Sequence, residues 1–209
     1  MIVMDNLYAY GPSDGPMTET TLHRPAGHKG RLRGELEQRY LTAHRTGRVK
    51  LTIGRASDFY GASGTSAPTM LALDPMLAGK RAQWLASLDM PHTLSYLPDV
   101  GWGLATLAER PQSLGQVWHI PAAEPLTRPQ FITVAAEIMQ QVPQMSVITR
   151  PMLLLAGLFN AQIREAGEVY YQFAQPFVMD ATKFTRAFGS RITPHREAIE
   201  QTIAQRRMS

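Results

Sequence analysis

Cysteine is absent from the 209 residues, so disulfide bonds and thiolate metal sites are excluded. A chain without cysteine suits a reducing compartment, and we expect a cytoplasmic location. No apolar run approaches the roughly 18 residues that a membrane helix needs, and the longest candidate extends only from Met152 to Phe159. The N-terminus also lacks the basic segment and long apolar core of a secretory signal. The sequence therefore predicts a soluble protein without a membrane segment.

A dense basic tract is also lacking. The formal net charge is +4, but the arginines are dispersed and do not form a stripe interleaved with aromatic residues. Nucleic-acid binding usually requires such a concentrated patch, so we predict no nucleic-acid partner. The histidines do not combine with carboxylates at the spacing of metal ligands, and we predict no metal site.

Two similar segments stand near the start of the chain. Residues 2–4 are apolar and lead into a polar, aromatic loop that ends at Gly11-Pro12. The pattern returns at Val49–Ile53, which is followed by Phe59-Tyr60-Gly61. Between them, residues 29–46 have helical spacing, with an apolar stripe that includes Leu32, and Gly47 stands at the expected helix end. The pattern predicts a β-α-β crossover whose loops line one edge of a parallel sheet.

The remaining chain continues the alternation of strands and helices. We expect strands at 94–97, 116–120 and 146–148, and helices after Pro98, after Thr127, over 151–162 and from Pro194. Asp99 is expected to cap its helix, and Thr127 is expected to cap the helix that follows it. The length and the 44% hydrophobic content suit one folded unit. The class is α/β.

Five motifs occur in an order that resembles a known family. They are Asn6-Leu7-Tyr8-Ala9-Tyr10-Gly11, Arg55-Ala56-Ser57-Asp58-Phe59-Tyr60-Gly61, Tyr96-Leu97-Pro98-Asp99-Val100, the strand at 115–120, and Asp180 to Gly189 followed by Pro194. This series resembles the extended short-chain dehydrogenase/reductases, the NAD-dependent epimerase/dehydratase family. The resemblance covers nearly the whole chain and implies a partial Rossmann-like parallel sheet with a small α/β substrate-binding lobe, mainly from about 62–95 and 115–209. It also implies NAD or NADP as cofactor.

The sequence departs from this family in two respects. It has no Gly-x-x-Gly-x-x-Gly phosphate loop, so it resembles the C-terminal two thirds of a member, without the main dinucleotide-binding half. The family's Tyr-x-x-x-Lys pair is also not found. Alignment of the helix on Glu35 puts Gly27 at the tyrosine and Arg31 at the lysine; a shift by two residues puts Pro25 and Lys29 there.

The resemblance implies catalytic roles for residues after the first strand. The family's serine falls on Asn6, whose amide could orient a substrate carbonyl; the alternative is a turn in which Asn6 bonds its own backbone. Tyr8 is the candidate for a displaced phenol. For the cofactor, the resemblance points to Lys29, near a ribose or phosphate, and to Ser57. An exposed lysine at a helix start is also commonly only solvated.

Three residues are candidates for substrate binding. Asp58 occupies a family position that faces the substrate. Arg55 either meets an anionic substrate or forms a structural ion pair with Asp58 or Asp99. His92 lies in a loop that could approach the crevice, and the alternative is an ordinary surface histidine.

The resulting expectation is an atypical or truncated NAD(P)-dependent epimerase/dehydratase-like oxidoreductase or isomerase. Its substrate would be a nucleotide sugar or a similar small hydroxy or carbonyl compound. The rival hypothesis is a non-catalytic ligand-binding or protein-interaction module derived from the same fold. The first strand needs neighbours on both sides of a parallel sheet, so we also expect the isolated chain to form homo-oligomers.

Overall fold

A computed structural model of the chain describes residues 1–86 and 89–208. The described strands are β1 (Ile2–Asp5), β2 (Thr52–Arg55), β3 (Asp58–Tyr60), β4 (Ala82–Leu85), β5 (Leu94–Tyr96), β6 (Val117–His119) and β7 (Met145–Ile148). The described helices are α1 (His28–Arg45), α2 (Asp74–Leu77), α3 (Leu97–Glu109), α4 (Arg128–Met139), α5 (Arg150–Gly157), α6 (Ala161–Glu168), α7 (Tyr171–Ala174), α8 (Thr182–Phe188) and α9 (His195–Arg207). A π-helical turn at Pro68–Leu73 precedes α2, and a 3₁₀ turn covers Pro111–Ser113.

Every strand pair in the described residues is parallel. One sheet has the order β1-β2-β6, and two further pairs join β3 to β5 and β4 to β7. Ile2 lies opposite Thr52 and Asp5 lies opposite Arg55, with α1 as the crossover between their strands. The predicted β-α-β unit and the α/β class are therefore confirmed.

Helix α1 ends where its sequence predicts, but its buried face differs from the predicted apolar stripe. Gly47 follows the helix with a φ of +75°, a left-handed conformation that glycine adopts without steric cost. Leu32 is 44% exposed, whereas Gly30 and Glu37 are buried. A Cβ at Gly30 would lie 2.5 Å from the Tyr8 carbonyl oxygen, so glycine allows α1 to approach the loop after β1.

The largest apolar cluster packs α4 and α9 against β3, β4 and β5. Phe131 is fully buried at its centre, with its ring edge-to-face against Tyr60 at 5.6 Å and Trp84 at 5.9 Å between centroids. Such rings contribute both buried area and a preferred geometry. This cluster fixes the position of β3, which carries Asp58.

Two local predictions need correction. Asp99 does not cap α3: it is buried inside the first turn and accepts hydrogen bonds from Thr193 N at 2.7 Å and Thr193 Oγ1 at 2.8 Å. The helix predicted over 151–162 ends at Gly157, and α6 follows as a separate helix. In the described part of the chain, no helix is both long and apolar enough to cross a bilayer.

Candidate functional site

The carboxyl ends of β1, β2 and β6 lie side by side because the three strands are parallel. Ala56 N donates a 3.2 Å hydrogen bond to the Asp5 carbonyl, which holds the loop after β1 beside the loop after β2. Asn6 and Ser57 therefore follow neighbouring strand ends at the same edge. In open parallel sheets, this edge is the usual position of a ligand crevice.

A buried ion cluster joins the strand ends to α1. Arg55, which is 1% exposed, donates to Asp5 Oδ2 from Nη2 at 2.6 Å and from Nε at 3.1 Å, and its Nη2 also donates to Glu37 Oε2. Burial alone lowers the pKa of Arg55, but Tyr10, Asp5 and Glu37 outweigh it and raise that pKa above its usual value. The predicted partners of Arg55, Asp58 and Asp99, are wrong. The geometry assigns Arg55 to the attachment of two strands and a helix instead of a substrate contact.

His119, buried at the end of β6, makes two further hydrogen bonds. The Tyr10 hydroxyl lies 2.7 Å from His119 Nε2, and His119 Nδ1 lies 2.8 Å from the Asp180 carbonyl oxygen. A carbonyl can only accept, so Nδ1 carries the proton and Nε2 accepts from Tyr10. Burial lowers the pKa of His119 to about 3, so the ring is neutral at physiological pH.

Asp58, His92 and Arg128 form a polar cluster beyond the end of β2. Arg128 Nη2 lies 3.2 Å from His92 Nδ1. A guanidinium can only donate, so Nδ1 accepts and the proton of a neutral ring lies on Nε2. His92 Nε2 is 3.1 Å from Asp58 Oδ2, which is within ion-pair distance, but the two groups are not aligned for a hydrogen bond. Neither atom has another hydrogen-bond partner among the described residues. Burial lowers the pKa of Arg128 to about 10, which leaves it charged at neutral pH.

His92 is not a surface histidine. It is 1% exposed, and its ring stacks on Phe173 at 5.5 Å and packs against Phe177 at 5.1 Å between centroids. Its backbone also pairs with Leu126 and Phe177. The alternative proposed from its loop position is therefore wrong, and His92 is held rigidly beside Asp58.

Two phenols, Tyr8 and Tyr171, lie within the electrostatic influence of the same carboxylate. Burial, and then the charge of Asp58, raise the pKa of Tyr8 well above its usual value, and the Gln172 side chain partly opposes that shift. Burial and Asp58 likewise raise the pKa of Tyr171 to about 12. Both phenols therefore remain protonated at neutral pH and can act as hydrogen-bond donors. The Tyr171 hydroxyl and Gln172 Oε1 are buried without a hydrogen-bond partner among the described residues.

Asn6 and Lys29 lie on either side of the Tyr8 loop. Asn6 Oδ1 accepts a 3.0 Å hydrogen bond from Tyr8 N, which is the turn-forming alternative proposed from sequence. Lys29 lies in the first turn of α1, where its backbone N–H donates to Glu168 Oε2 at 3.1 Å. A Cβ built on Gly27 would lie 2.9 Å from the same Glu168 oxygen. The Glu168 carboxylate thus occupies the space beside Gly27, one of the two positions that the sequence aligns with the family's tyrosine.

The fold brings three of the candidate residues, Tyr8, Asp58 and His92, together beyond the strand ends. Ser57 is 3% exposed, and its Oγ has no hydrogen-bond partner in the described part of the chain. Sequence reasoning missed five residues that complete this region: Glu37, His119, Arg128, Tyr171 and Gln172. Two of them could have been identified from the sequence, because Glu37 is a charged residue beside the apolar stripe of α1 and His119 is a polar residue inside an apolar strand. The residues described include no group of three or more metal-ligating side chains.

Sequence comparisons found no matching family model and no matching curated protein. Solved structures match the fold closely. UDP-glucuronic acid 4-epimerase from Bacillus cereus, in complex with NAD, has a TM-score of 0.80 at 15% identity and aligns over 99% of this chain and 61% of its own.

Two further structures give the same result. DesIV, the dTDP-glucose 4,6-dehydratase from Streptomyces venezuelae with NAD and TYD bound, has a TM-score of 0.77 at 15% identity over 100% of this chain and 60% of its own. RMD from Pseudomonas aeruginosa, complexed with NADPH, has a TM-score of 0.76 at 12% identity and aligns over 100% of this chain and 66% of its own. The chain spans about 60% of the length of the first two. The resemblance inferred from the motifs is confirmed in the fold: the described chain is built like a part of the NAD-dependent epimerases and dehydratases.

Proposed function

We propose that this chain forms the substrate-binding part of an NAD(P)-dependent epimerase/dehydratase-like oxidoreductase or isomerase that acts on a hydroxy or carbonyl compound. Nucleotide sugars are the ligands of its structural neighbours and are the first class to consider. One observation carries the proposal: near the Asp58–His92 pair, Ser57 Oγ, the Tyr171 hydroxyl and Gln172 Oε1 are buried without a hydrogen-bond partner in the described chain. Buried polar atoms are normally satisfied, so this arrangement indicates a polar ligand.

The donor set fits the reactive end of a nicotinamide cofactor. Ser57 would offer its hydroxyl to a carboxamide, and Lys29, in the first turn of α1, would approach a ribose or phosphate. When bound, the nicotinamide supplies hydride transfer to or from a carbon of the ligand. Asn6 keeps the loop in place through its bond to Tyr8 N.

Two side chains have the chemistry to contact the reacting group. Tyr8 remains protonated and would donate a hydrogen bond to a ligand oxygen. Asp58 would accept a hydrogen bond from a ligand hydroxyl, while His92, itself held by Arg128, lies beside the carboxylate. In the short-chain dehydrogenases, a lysine lowers the tyrosine pKa. Here burial and Asp58 raise it, so the proton-transfer chemistry would have to differ.

The second candidate is a ligand-binding or interaction module without redox chemistry. It is favoured by the lack of a phenol at either position that the sequence aligns with the family's tyrosine, Gly27 or Pro25, and by the Glu168 carboxylate that lies against Gly27.

A fluorescence titration of the 209-residue chain with NADH and NADPH separates the two candidates. We expect weak but saturable binding of one cofactor through its nicotinamide end, since the phosphate loop is absent, and a further several-fold loss, roughly 1 kcal/mol, in Ser57→Ala because a hydrogen bond is lost. Ser146→Ala is the matched control, since Ser146 lies in β7 and its Oγ bonds Ala82 O. The absence of saturation with either cofactor would favour the module.

A further inference from the structure

A cavity of about 710 Å³ lies among α5, α6 and α7. Its volume is in the range of small-molecule sites. The wall is mostly aliphatic and includes Leu153, Leu154, Leu158, Ile163 and Ala174.

The cavity adjoins the candidate site through Tyr171. This residue lines the cavity, and its ring packs edge-to-face against Phe177 at 6.3 Å between centroids, which in turn packs against His92. The Tyr171 hydroxyl is buried and has no hydrogen-bond partner among the described residues. Ala26 and Glu168 also belong to the wall, next to Gly27. A ligand in the cavity would therefore be separated from the polar cluster by the Tyr171 side chain, whose rotation would bring the hydroxyl to the ligand.

The charges of the wall do not suit a nucleoside diphosphate. Its charged residues, within the described chain, are Arg150, Arg164 and Glu168, which sum to a single positive charge. Arg164 already directs Nη1 toward the Gly157 carbonyl oxygen at 3.5 Å. A diphosphate that leaves water needs several charge-assisted hydrogen bonds, and leucine side chains provide none.

We propose that the cavity binds the non-reacting part of the substrate and that this part is apolar: the ligand is a ketone or alcohol with a hydrocarbon body. Its oxygen contacts the Tyr171 hydroxyl, and its body lies against Leu153, Leu154 and Leu158. This inference rests on the proposed function. It narrows the proposed hydroxy or carbonyl substrates to apolar ones and excludes nucleotide sugars.

The test uses 2-decanone as the apolar probe and UDP-glucose as the nucleotide-sugar probe, each titrated calorimetrically into the 209-residue chain. Leu154 and Leu155 give a matched pair: they are adjacent in α5 and 61% and 64% exposed, but only Leu154 lines the cavity. We expect saturable binding of 2-decanone that millimolar UDP-glucose does not displace. Leu154→Asp should weaken it about tenfold or more, because a carboxylate would face the hydrocarbon, and Leu155→Asp should change it less than about two-fold.

Three outcomes would overturn the inference. They are no saturable binding of 2-decanone, saturable UDP-glucose binding at the expense of 2-decanone, and equal losses in the two variants, which would indicate nonspecific adhesion to exposed leucines. The cofactor titration is read separately. Failure of NADH and NADPH to bind, with 2-decanone binding and its Leu154 dependence intact, counts against the proposed redox function and leaves the ligand class of the cavity supported.

Discussion

Among single residues, His119 has a strongly altered acid–base chemistry. It is fully buried between the Tyr10 hydroxyl and the Asp180 carbonyl, and its low pKa follows from that burial. An unfolded chain has no such constraint, and its histidine binds a proton near the ordinary pKa of about 6.5. The folded and unfolded states therefore hold different numbers of protons over a wide pH range.

The first prediction concerns the acid sensitivity of folding. Between about pH 6.5 and the His119 pKa of about 3, the unfolded state binds one more proton at this residue, so stability is present above this window and is lost as pH falls. The contribution to the slope approaches about 1.4 kcal/mol per pH unit. His119→Gln should reduce the slope of unfolding free energy against pH, measured by urea denaturation between pH 5 and 6.5.

The pH window and a control make this measurement specific. Glu37 and Asp180 have lowered pKa values, so their carboxyls titrate below the chosen window. His28→Gln, at an exposed histidine of α1, should leave the slope unchanged. A variant at His119 with the full wild-type slope would show that the ring is not held neutral in the folded protein.

At the scale of elements, two helices begin with the same three residues in different surroundings. Thr127-Arg128-Pro129 opens α4, and Thr149-Arg150-Pro151 opens α5. The Thr127 side chain accepts a hydrogen bond from Gln130 N, and the Gln130 side chain accepts one from the Thr127 backbone N–H, which completes a capping box. Thr149 occupies the equivalent position without a side-chain capping bond.

The second prediction uses this internal comparison. Thr127→Ala should lower the free energy of unfolding by about 1 kcal/mol, because buried α4 loses the partner of a helical N–H. Thr149→Ala should cost much less. Both are measured by urea denaturation at one pH. Equal losses would mean that the threonines contribute through propensity or solvation instead of capping.

Local signals in the sequence were sufficient for the capped helix α4, for α1 with Gly47 at its end, and for the strands that enclose the β-α-β crossover. They were insufficient where a partner lies far along the chain. Ala82–Leu85 has no clear alternation and becomes a strand by pairing with β7, some sixty residues later. The sequence could not decide whether His92 lies at the crevice or at the surface, because its burial depends on Phe173 and Phe177, which no local pattern connects to it.

For the whole molecule, the main sheet has an open edge. Strand β1 pairs with β2 on one side and with no other strand among the described residues. The backbone carbonyls of Met1 and Asp5 accept hydrogen bonds from the N–H groups of Thr52 and Ala56. The backbone N–H and C=O groups of odd-numbered residues in β1 therefore point toward β2, and the Ile2 N–H points to the open side. Unpaired strand edges are templates for association.

The third prediction follows from this edge. The 209-residue chain should self-associate, and Ile2→Pro should raise its monomer fraction, because proline removes an outward N–H without breaking the β1–β2 ladder. Size-exclusion chromatography with light scattering measures both. Val3→Pro is the contrasting variant, since it removes an inward N–H and should destabilise the fold. A wild-type chain that is monomeric at all concentrations would contradict this prediction.

The carboxylate of Glu168 also restricts which residues position 27 can accept. A side chain introduced there would come within 2.9 Å of the oxygen that accepts from the Lys29 backbone N–H, so the Glu168 side chain would have to turn away. A larger residue at position 27 would therefore remove a contact between the start of α1 and the end of α6, and a tyrosine there would also need a smaller residue at position 168.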